Sequence, residues 1–114
     1  MVKGWHILQD DQGLTLFRRL PIRFDVSALA IFPVVNPLRL AHQIRQDMWR
    51  MLRRLRGFLP IVQVQTDRDV LVVTAGGSVR GDFPKDTDAR ISNLLHSAEH
   101  RARWCRFATE RRKV

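Results

Sequence analysis

Residues 36–57 read NPLRLAHQIRQDMWRMLRRLRG, and this stretch decides the fold expected for the chain. Asn36 is a favourable N-cap and Pro37 suits the first helical position, so a helix should begin here. Gly57 is well suited to end it in the left-handed conformation. Between these limits apolar residues recur at spacings of three and four, which predicts a helix over about 37–56 with one buried stripe: Ala41, Ile44, Met48, Met51, Leu52 and Leu55.

The opposite face of this predicted helix is basic. Like charges four residues apart repel, so most solvated faces mix acids with bases, whereas Asp47 is the only acid here. An anionic ligand would relieve the repulsion, and an ordinary solvated face is the alternative. Trp49 lies at the edge of this face, where we expect packing rather than base stacking. The face holds His42 and six residues predicted to contact nucleic acid: Arg39, Gln43, Gln46, Arg50, Arg53 and Arg54.

The charge of the whole chain points to an anionic partner. It has 114 residues, with 20 Lys and Arg against 11 Asp and Glu, and a formal net charge of +9. Arginine supplies 17 of the 20 cations, and its planar guanidinium pairs bidentately with phosphate or carboxylate. The partner is therefore expected to be nucleic acid or an acidic protein, although a GC-rich genome would also enrich arginine. Without a base-reading motif, we expect contact with nucleic-acid backbone lacking strong sequence specificity.

Strand patterns lie on both sides of the first helix. One hairpin is predicted over 5–18, and a second over 61–74, where Val62 and Val64 should face inward. The continuous apolar run 24–32 predicts a further strand covered on both faces, or else the start of a buried helical turn.

A second helix is predicted over about 86–107. We therefore expect an α+β fold in which a small antiparallel sheet carries two helices on one face, within a single domain over 1–114. Residues 108–114 should form a frayed basic tail. The buried stripe of the second helix is expected to contain Ile91, Leu94, Leu95, Ala98, Ala102 and Cys105.

That second helix carries the pattern H-x-x-E-H at residues 96–100. Histidines four residues apart share a helix face, so His96 and His100 could reach one zinc ion with Glu99 as a base. A third ligand is lacking, because Glu110 is the only later acid. A metal-dependent hydrolase is therefore a remote alternative, and we predict no metal, no cofactor and no catalytic residue.

Aromatic residues also fall on the wet face of that helix. Trp104 and Phe107 should not remain exposed there: the helix is covered on both faces, the patch stacks on bases, or it meets a second copy of the chain. We expect the contact between two copies, with Arg103 as a further member. A dimeric interaction module that docks an acidic partner protein is thus the alternative to nucleic-acid binding.

Other classes of protein are excluded or disfavoured by the sequence. The single cysteine, Cys105, excludes an internal disulfide framework. The first residues lack the apolar core of a signal peptide, and the run 26–35 is too short to span a membrane. We therefore expect a cytoplasmic protein.

Overall fold

The computed structural model describes residues 4–109, which form a five-stranded antiparallel sheet and three helices. The α+β fold is confirmed, whereas the expected number of two helices is wrong. In chain order the elements are β1 (His6–Gln9), β2 (Gly13–Phe17), β3 (Val26–Pro33), α1 (Pro37–Leu52), β4 (Leu59–Asp67), β5 (Val70–Ser78), α2 (Thr87–Leu95) and α3 (Ala98–Thr109).

The strands lie in the order β1-β2-β4-β5-β3, and every neighbouring pair is antiparallel. Both predicted hairpins are present. In the first, Asp10 Oδ1 accepts the backbone N–H groups of Gln12 and Gly13. The run 24–32 contains a strand, β3, which pairs with β5 along its full length and closes the far edge. Helix α1 therefore carries the chain from that edge back to β4 in the middle of the sheet.

The core lies between the sheet and the helices. Alternate side chains of the strands point toward the helical layer, as the period of two requires, and Val62 and Val64 are both fully buried as predicted. The other face of the sheet is open at β3, where Leu29 and Ile31 are 55% and 46% exposed. The expectation that β3 is covered on both faces is therefore wrong, since the helices pack on one face only. α1 contributes five buried residues to the core: Leu40, Ala41, Ile44, Met48 and Leu52.

Helix α1 begins where predicted but ends earlier. Asn36 Oδ1 accepts the backbone N–H of Arg39 at 3.0 Å, which caps the first turn. The helix stops at Leu52 instead of residue 56, because Leu55 N donates to Leu52 O and tightens the chain into a turn. Gly57, with φ of 66°, then directs the chain into β4.

The predicted second helix is broken into α2 and α3 at His96 and Ser97. The backbone N–H groups of both residues bond back to α2, while Ser97 Oγ accepts the backbone N–H of His100 and so caps α3. Arg101 Nη1 donates to Leu95 O at 3.1 Å, which satisfies the end of α2.

Because of this break, the predicted buried stripe is wrong beyond α2. One helical wheel cannot describe both α2 and α3, which are separate helices. Ile91, Leu94 and Leu95 on α2 are buried as expected. Beyond the break Ala98 and Ala102 are exposed, and α3 instead buries Trp104 and Ala108. Ala108 also belongs to the expected tail 108–114, so the helix extends two residues into it, while residues 110–114 lie outside the described part.

Asp47 joins α3 to α1. The indole Nε1 of Trp104, which is fully buried, donates to Asp47 Oδ2 at 2.7 Å. Arg103 Nη2 donates to the same oxygen, and Arg50 lies 3.8 Å from the other carboxylate oxygen. Only 12% of the Asp47 side chain is exposed, so its charge is compensated chiefly by these groups.

We expect Asp47→Ala to lower the free energy of unfolding by about 2 kcal/mol, because the buried indole N–H loses its acceptor. Chemical denaturation of the wild type and the variant measures the difference. Asp11→Ala, in an exposed hairpin turn, is the control and should change stability by less than about 0.5 kcal/mol. Equal losses in both variants would contradict a special role for Asp47.

Candidate nucleic-acid interface

The two halves of the predicted binding face of α1 differ in their exposure to solvent. In the N-terminal half, Arg39 and Gln43 are half-buried, and the guanidinium carbon of Arg39 lies 5.9 Å from the ring centre of Phe107 on α3. In the C-terminal half, Gln46 and Arg50 are exposed. The open part of the face is therefore its C-terminal half.

The remaining two predicted residues, Arg53 and Arg54, lie beyond the helix. With α1 ending at Leu52, they begin an exposed turn that also contains Arg56. Within residues 4–109 no carboxylate forms an ion pair with these three arginines. Arg39 is about 21 Å away along the helix axis, given a rise of about 1.5 Å per residue. The structure therefore groups Arg53 and Arg54 with Arg56 and leaves Arg39 apart.

A second loop brings another arginine to this turn. Arg80 N donates to Arg56 O at 3.0 Å, and a Cβ on Gly57 would lie only 2.7 Å from the Cβ of Arg80. Below the turn, Arg90 Nη2 donates to Met51 O at 3.3 Å. We call the four exposed residues of these two loops the basic end: Arg53, Arg54, Arg56 and Arg80.

Sequence reasoning missed Arg56 and Arg80 as members of this group. The contact of Arg80 with Arg56 depends on the end of β5 lying beside the turn that enters β4. The predicted pairing of β4 with β5 contained that information, because antiparallel neighbours bring the start of one strand to the end of the other.

Acidic residues near the basic end are partly engaged in hydrogen bonds of the fold. Asp25 Oδ2 accepts from Val79 N and from Arg23, and these donors lower the pKa of Asp25 below its usual 3.8. Asp88 Oδ1 accepts Ser27 N at 2.9 Å. Both carboxylates hold β3 in place. Asp82, two residues after Arg80, and Asp86 are exposed.

The opposite end of the sheet is acidic. The β1–β2 and β4–β5 turns touch there, since Thr66 N donates to Gln12 O at 2.7 Å. Antiparallel pairing places both turns at the end of the sheet away from the start of β4. The chain is therefore electrically polarised along its strands. The two turns carry four exposed carboxylates: Asp10, Asp11, Asp67 and Asp69.

Trp49 is more open than expected. Its side chain is 43% exposed at the surface of α1, one turn before Arg53. The expectation that Trp49 packs against the protein is therefore only partly right. An exposed indole beside guanidinium groups offers a surface on which a base could stack.

A second group of cations surrounds Trp5, just before β1. The guanidinium carbons of Arg45 and Arg18 lie 4.7 Å and 5.6 Å from the Trp5 ring centre. Burial, followed by the charge of Arg18, lowers the pKa of Arg45 below its ordinary value. Burial, followed by the charge of Arg45, lowers the pKa of His42 below its usual 6.5, so this imidazole is neutral at pH 7. We call Trp5, Arg18, His42 and Arg45 the arginine–tryptophan cluster.

The lowered pKa of His42 predicts a loss of stability in mild acid. Below about pH 6.5 the unfolded chain takes up a proton at His42 before the folded chain does, so the unfolded state is favoured. The wild type should therefore lose stability relative to His42→Gln as the pH falls from about 6.5. Denaturation midpoints of both proteins between neutral and mildly acidic pH measure this, and parallel pH profiles would contradict it.

Of the residues predicted to form a contact between copies, Trp104 is assigned wrongly. It is fully buried within the chain, packed 6.2 Å from the ring of Phe32, because the helix break rotates α3 relative to the expected wheel. Phe107 is 45% exposed and Arg103 is also exposed, although Arg103 pairs with Asp47. Only these two of the three lie on the surface.

The structure does not support the geometric premise of the metal alternative. His96 ends α2 and His100 lies in the first turn of α3, so they do not share one helix face. Each imidazole Nδ1 has a local contact at 2.8 Å, His96 with Ser92 O and His100 with Ser97 Oγ. In the described part of the chain, no three His, Cys, Asp or Glu residues are grouped to hold a metal ion.

Two further observations concern the chain as a whole. Across residues 4–109, no helix has the length and apolar character needed to cross a membrane. Comparisons with protein-family models, curated proteins and solved structures gave no match to this chain. Functional inference therefore rests on the charges and contacts described above.

Proposed function

We propose that this protein binds the nucleic-acid backbone, without strong sequence specificity, through its basic end. The observation that supports this most directly is the convergence of four exposed arginines from two loops. In residues 4–109 these side chains form no ion pair with a carboxylate, so their charge is available to phosphates. Gln46 and Arg50, on the open half of α1, extend the surface.

The polarity of the chain supports the same assignment. A polyanion attracts the basic end and repels the acidic turns at the other end of the sheet, so approach is oriented before contact. Phosphate neutralisation releases condensed counterions, which provides affinity independent of base identity. Trp49 adds a stacking surface that favours single strands or ends, where bases are accessible. Nucleic acid is present in the cytoplasm, which is where we propose that the protein acts.

The double variant Arg53→Gln/Arg54→Gln tests the basic end. If each arginine contacts one phosphate, the slope of log affinity against log salt should fall in magnitude by roughly 1.4–1.8, equally for unrelated sequences. Fluorescence anisotropy with labelled oligonucleotides over a range of salt concentrations measures it. Both residues are exposed beyond the end of α1, so folding should be retained.

The matched control is Arg68→Asn/Arg106→Gln, which removes the same net charge elsewhere. Arg68 lies between the acidic residues of the β4–β5 turn at φ of 57°, a conformation that asparagine tolerates. This variant should keep most of the wild-type salt slope. Equal slopes in the two double variants would assign binding to net charge alone, and absent binding at about 50 mM salt, where such contacts are strong, would contradict the function.

A dimeric module that docks an acidic partner protein is the second candidate. The observation that favours it is apolar surface: Phe107 on α3, and Leu29 with Ile31 on the open sheet face, remain substantially exposed. Exposed apolar groups of this kind are typical of protein contacts. The arginines of the basic end would then pair with carboxylates instead of phosphates.

Phe107→Glu tests the contact between copies. If two chains meet through α3, the buried charge should shift the protein toward the monomer without loss of cooperative unfolding, because Phe107 is 45% exposed in the single chain. Light scattering after size-exclusion chromatography measures the mass. A monomeric wild type would refute the dimer directly.

A further inference from the structure

The arginine–tryptophan cluster gathers two guanidinium groups and an imidazole from separate elements of the fold. Arg18 directly follows β2, whereas His42 and Arg45 lie on α1. Arg18 also lies against the backbone of Gly4, where a Cβ would come within 3.1 Å of its Nε. Gly4 has φ of 81°, which favours glycine and turns the chain so that Trp5 meets both arginines. The fold therefore holds like charges together.

Two buried polar atoms of this cluster have no hydrogen-bond partner among residues 4–109. They are Arg45 Nε, a donor, and His42 Nδ1, which donates in one tautomer of the neutral ring and accepts in the other. In the part of the chain that the structure describes, neither Arg18 nor Arg45 forms an ion pair with a carboxylate. Buried polar groups in native proteins nearly always have a partner, and clustered cations without one are unfavourable. An anionic acceptor would satisfy both requirements.

We infer that the arginine–tryptophan cluster is a binding site for a phosphate dianion, taken up as inorganic phosphate or as a phosphate monoester. Guanidinium groups pair with phosphate through parallel N–H bonds, and the Trp5 ring limits where the two groups can lie. A tetrahedral phosphate presents oxygens in several directions, so it can accept from both arginines and from His42 in the tautomer that carries its proton on Nδ1. A planar carboxylate has only two oxygens for these donors.

This site is distinct from the basic end. Arg45 precedes Arg53 by eight residues, about 12 Å along the axis of α1. The inference does not rest on the proposed backbone binding, because a small phosphate alone should occupy the cluster. Failure of one site therefore leaves the other testable.

Thermal unfolding in sodium phosphate, compared with sodium chloride at equal pH and ionic strength, tests the site. Phosphate raises the Tm of proteins generally because it is excluded from their surface, and a bound phosphate adds a further rise. The gain in Tm in phosphate over chloride should therefore be larger for the wild type than for Arg18→Gln. Titration calorimetry with phosphate gives the affinity. Arg45→Met and Arg18→Gln should each weaken it roughly tenfold or more, since each removes hydrogen bonds between charged groups.

Arg106→Gln, exposed on α3, is the matched control and should bind phosphate as the wild type does. Arg18→Gln changes an exposed side chain, so it keeps the test valid if Arg45→Met fails to fold. Equal Tm values in the two salts would overturn the site, as would unchanged phosphate affinity in both cluster variants.

Oligonucleotides with a 5′ phosphate or a 5′ hydroxyl identify the source of the phosphate. Tighter binding of the phosphorylated strand, lost in Arg18→Gln, would assign the site to a terminal phosphate of nucleic acid. Equal binding of both strands, with phosphate still stabilising the protein, would assign it to a free phosphate ester. Arg53→Gln/Arg54→Gln should retain the phosphate-dependent rise in Tm, which separates this site from the basic end.

Discussion

The hydrogen bond from the Trp104 indole to Asp47 is the interaction on which the helical layer depends. It is the point where α3, after the break at Ser97, is fixed to α1, and its donor is fully buried. Asp47 is the one acid of α1, so its position also determines which arginines near that helix are paired with a carboxylate. Arg50 and Arg103 share its carboxylate, and Arg39 is covered by Phe107. Among residues 4–109, the arginines after Leu52 have no carboxylate partner. Docking of α3 therefore leaves unpaired basic charge at the C-terminal end of α1.

Sheet topology explains why that charge is not neutralised. Antiparallel pairing sends the two acidic hairpin turns to one end of the sheet and brings the Arg56 and Arg80 loops together at the other. A chain with the same composition but an even distribution would pair most of these groups. The separation costs repulsion among the arginines, which is reduced by exposure to solvent and would be relieved by phosphates. This is why the location of the charges supports a polyanion more strongly than the net charge does.

Local sequence was sufficient to predict the elements whose stability is set by neighbouring residues. The Asn36-Pro37 start of α1 and the alternation around Val62 are examples, because capping and period-two burial act over a few positions. The break at His96-Ser97 was missed because the apolar pattern continues across it, although Ser97 is a good N-cap. Trp104 was consequently placed on the wrong face. The contact of Arg80 with the α1 turn was missed because the predicted hairpin, 61–74, is shorter than the observed pairing of Leu59–Asp67 with Val70–Ser78, which brings the two loops together.

The prevalence of arginine over lysine has a structural use in this fold. The Arg101 guanidinium donates to the carbonyls of Leu95 and Ile31 and lies 4.0 Å from the Phe32 ring centre, so one side chain joins α2, α3 and β3. Arg90 likewise reaches Met51 O. A lysine ammonium is a compact charge without a planar surface. It therefore cannot stack on a ring and at the same time donate to two carbonyls in fixed directions. A GC-rich genome would raise the number of arginines. It would not by itself place some of them in bridges between elements and the others in one exposed group. The same planar chemistry that makes the bridges possible is what suits the exposed group to phosphate.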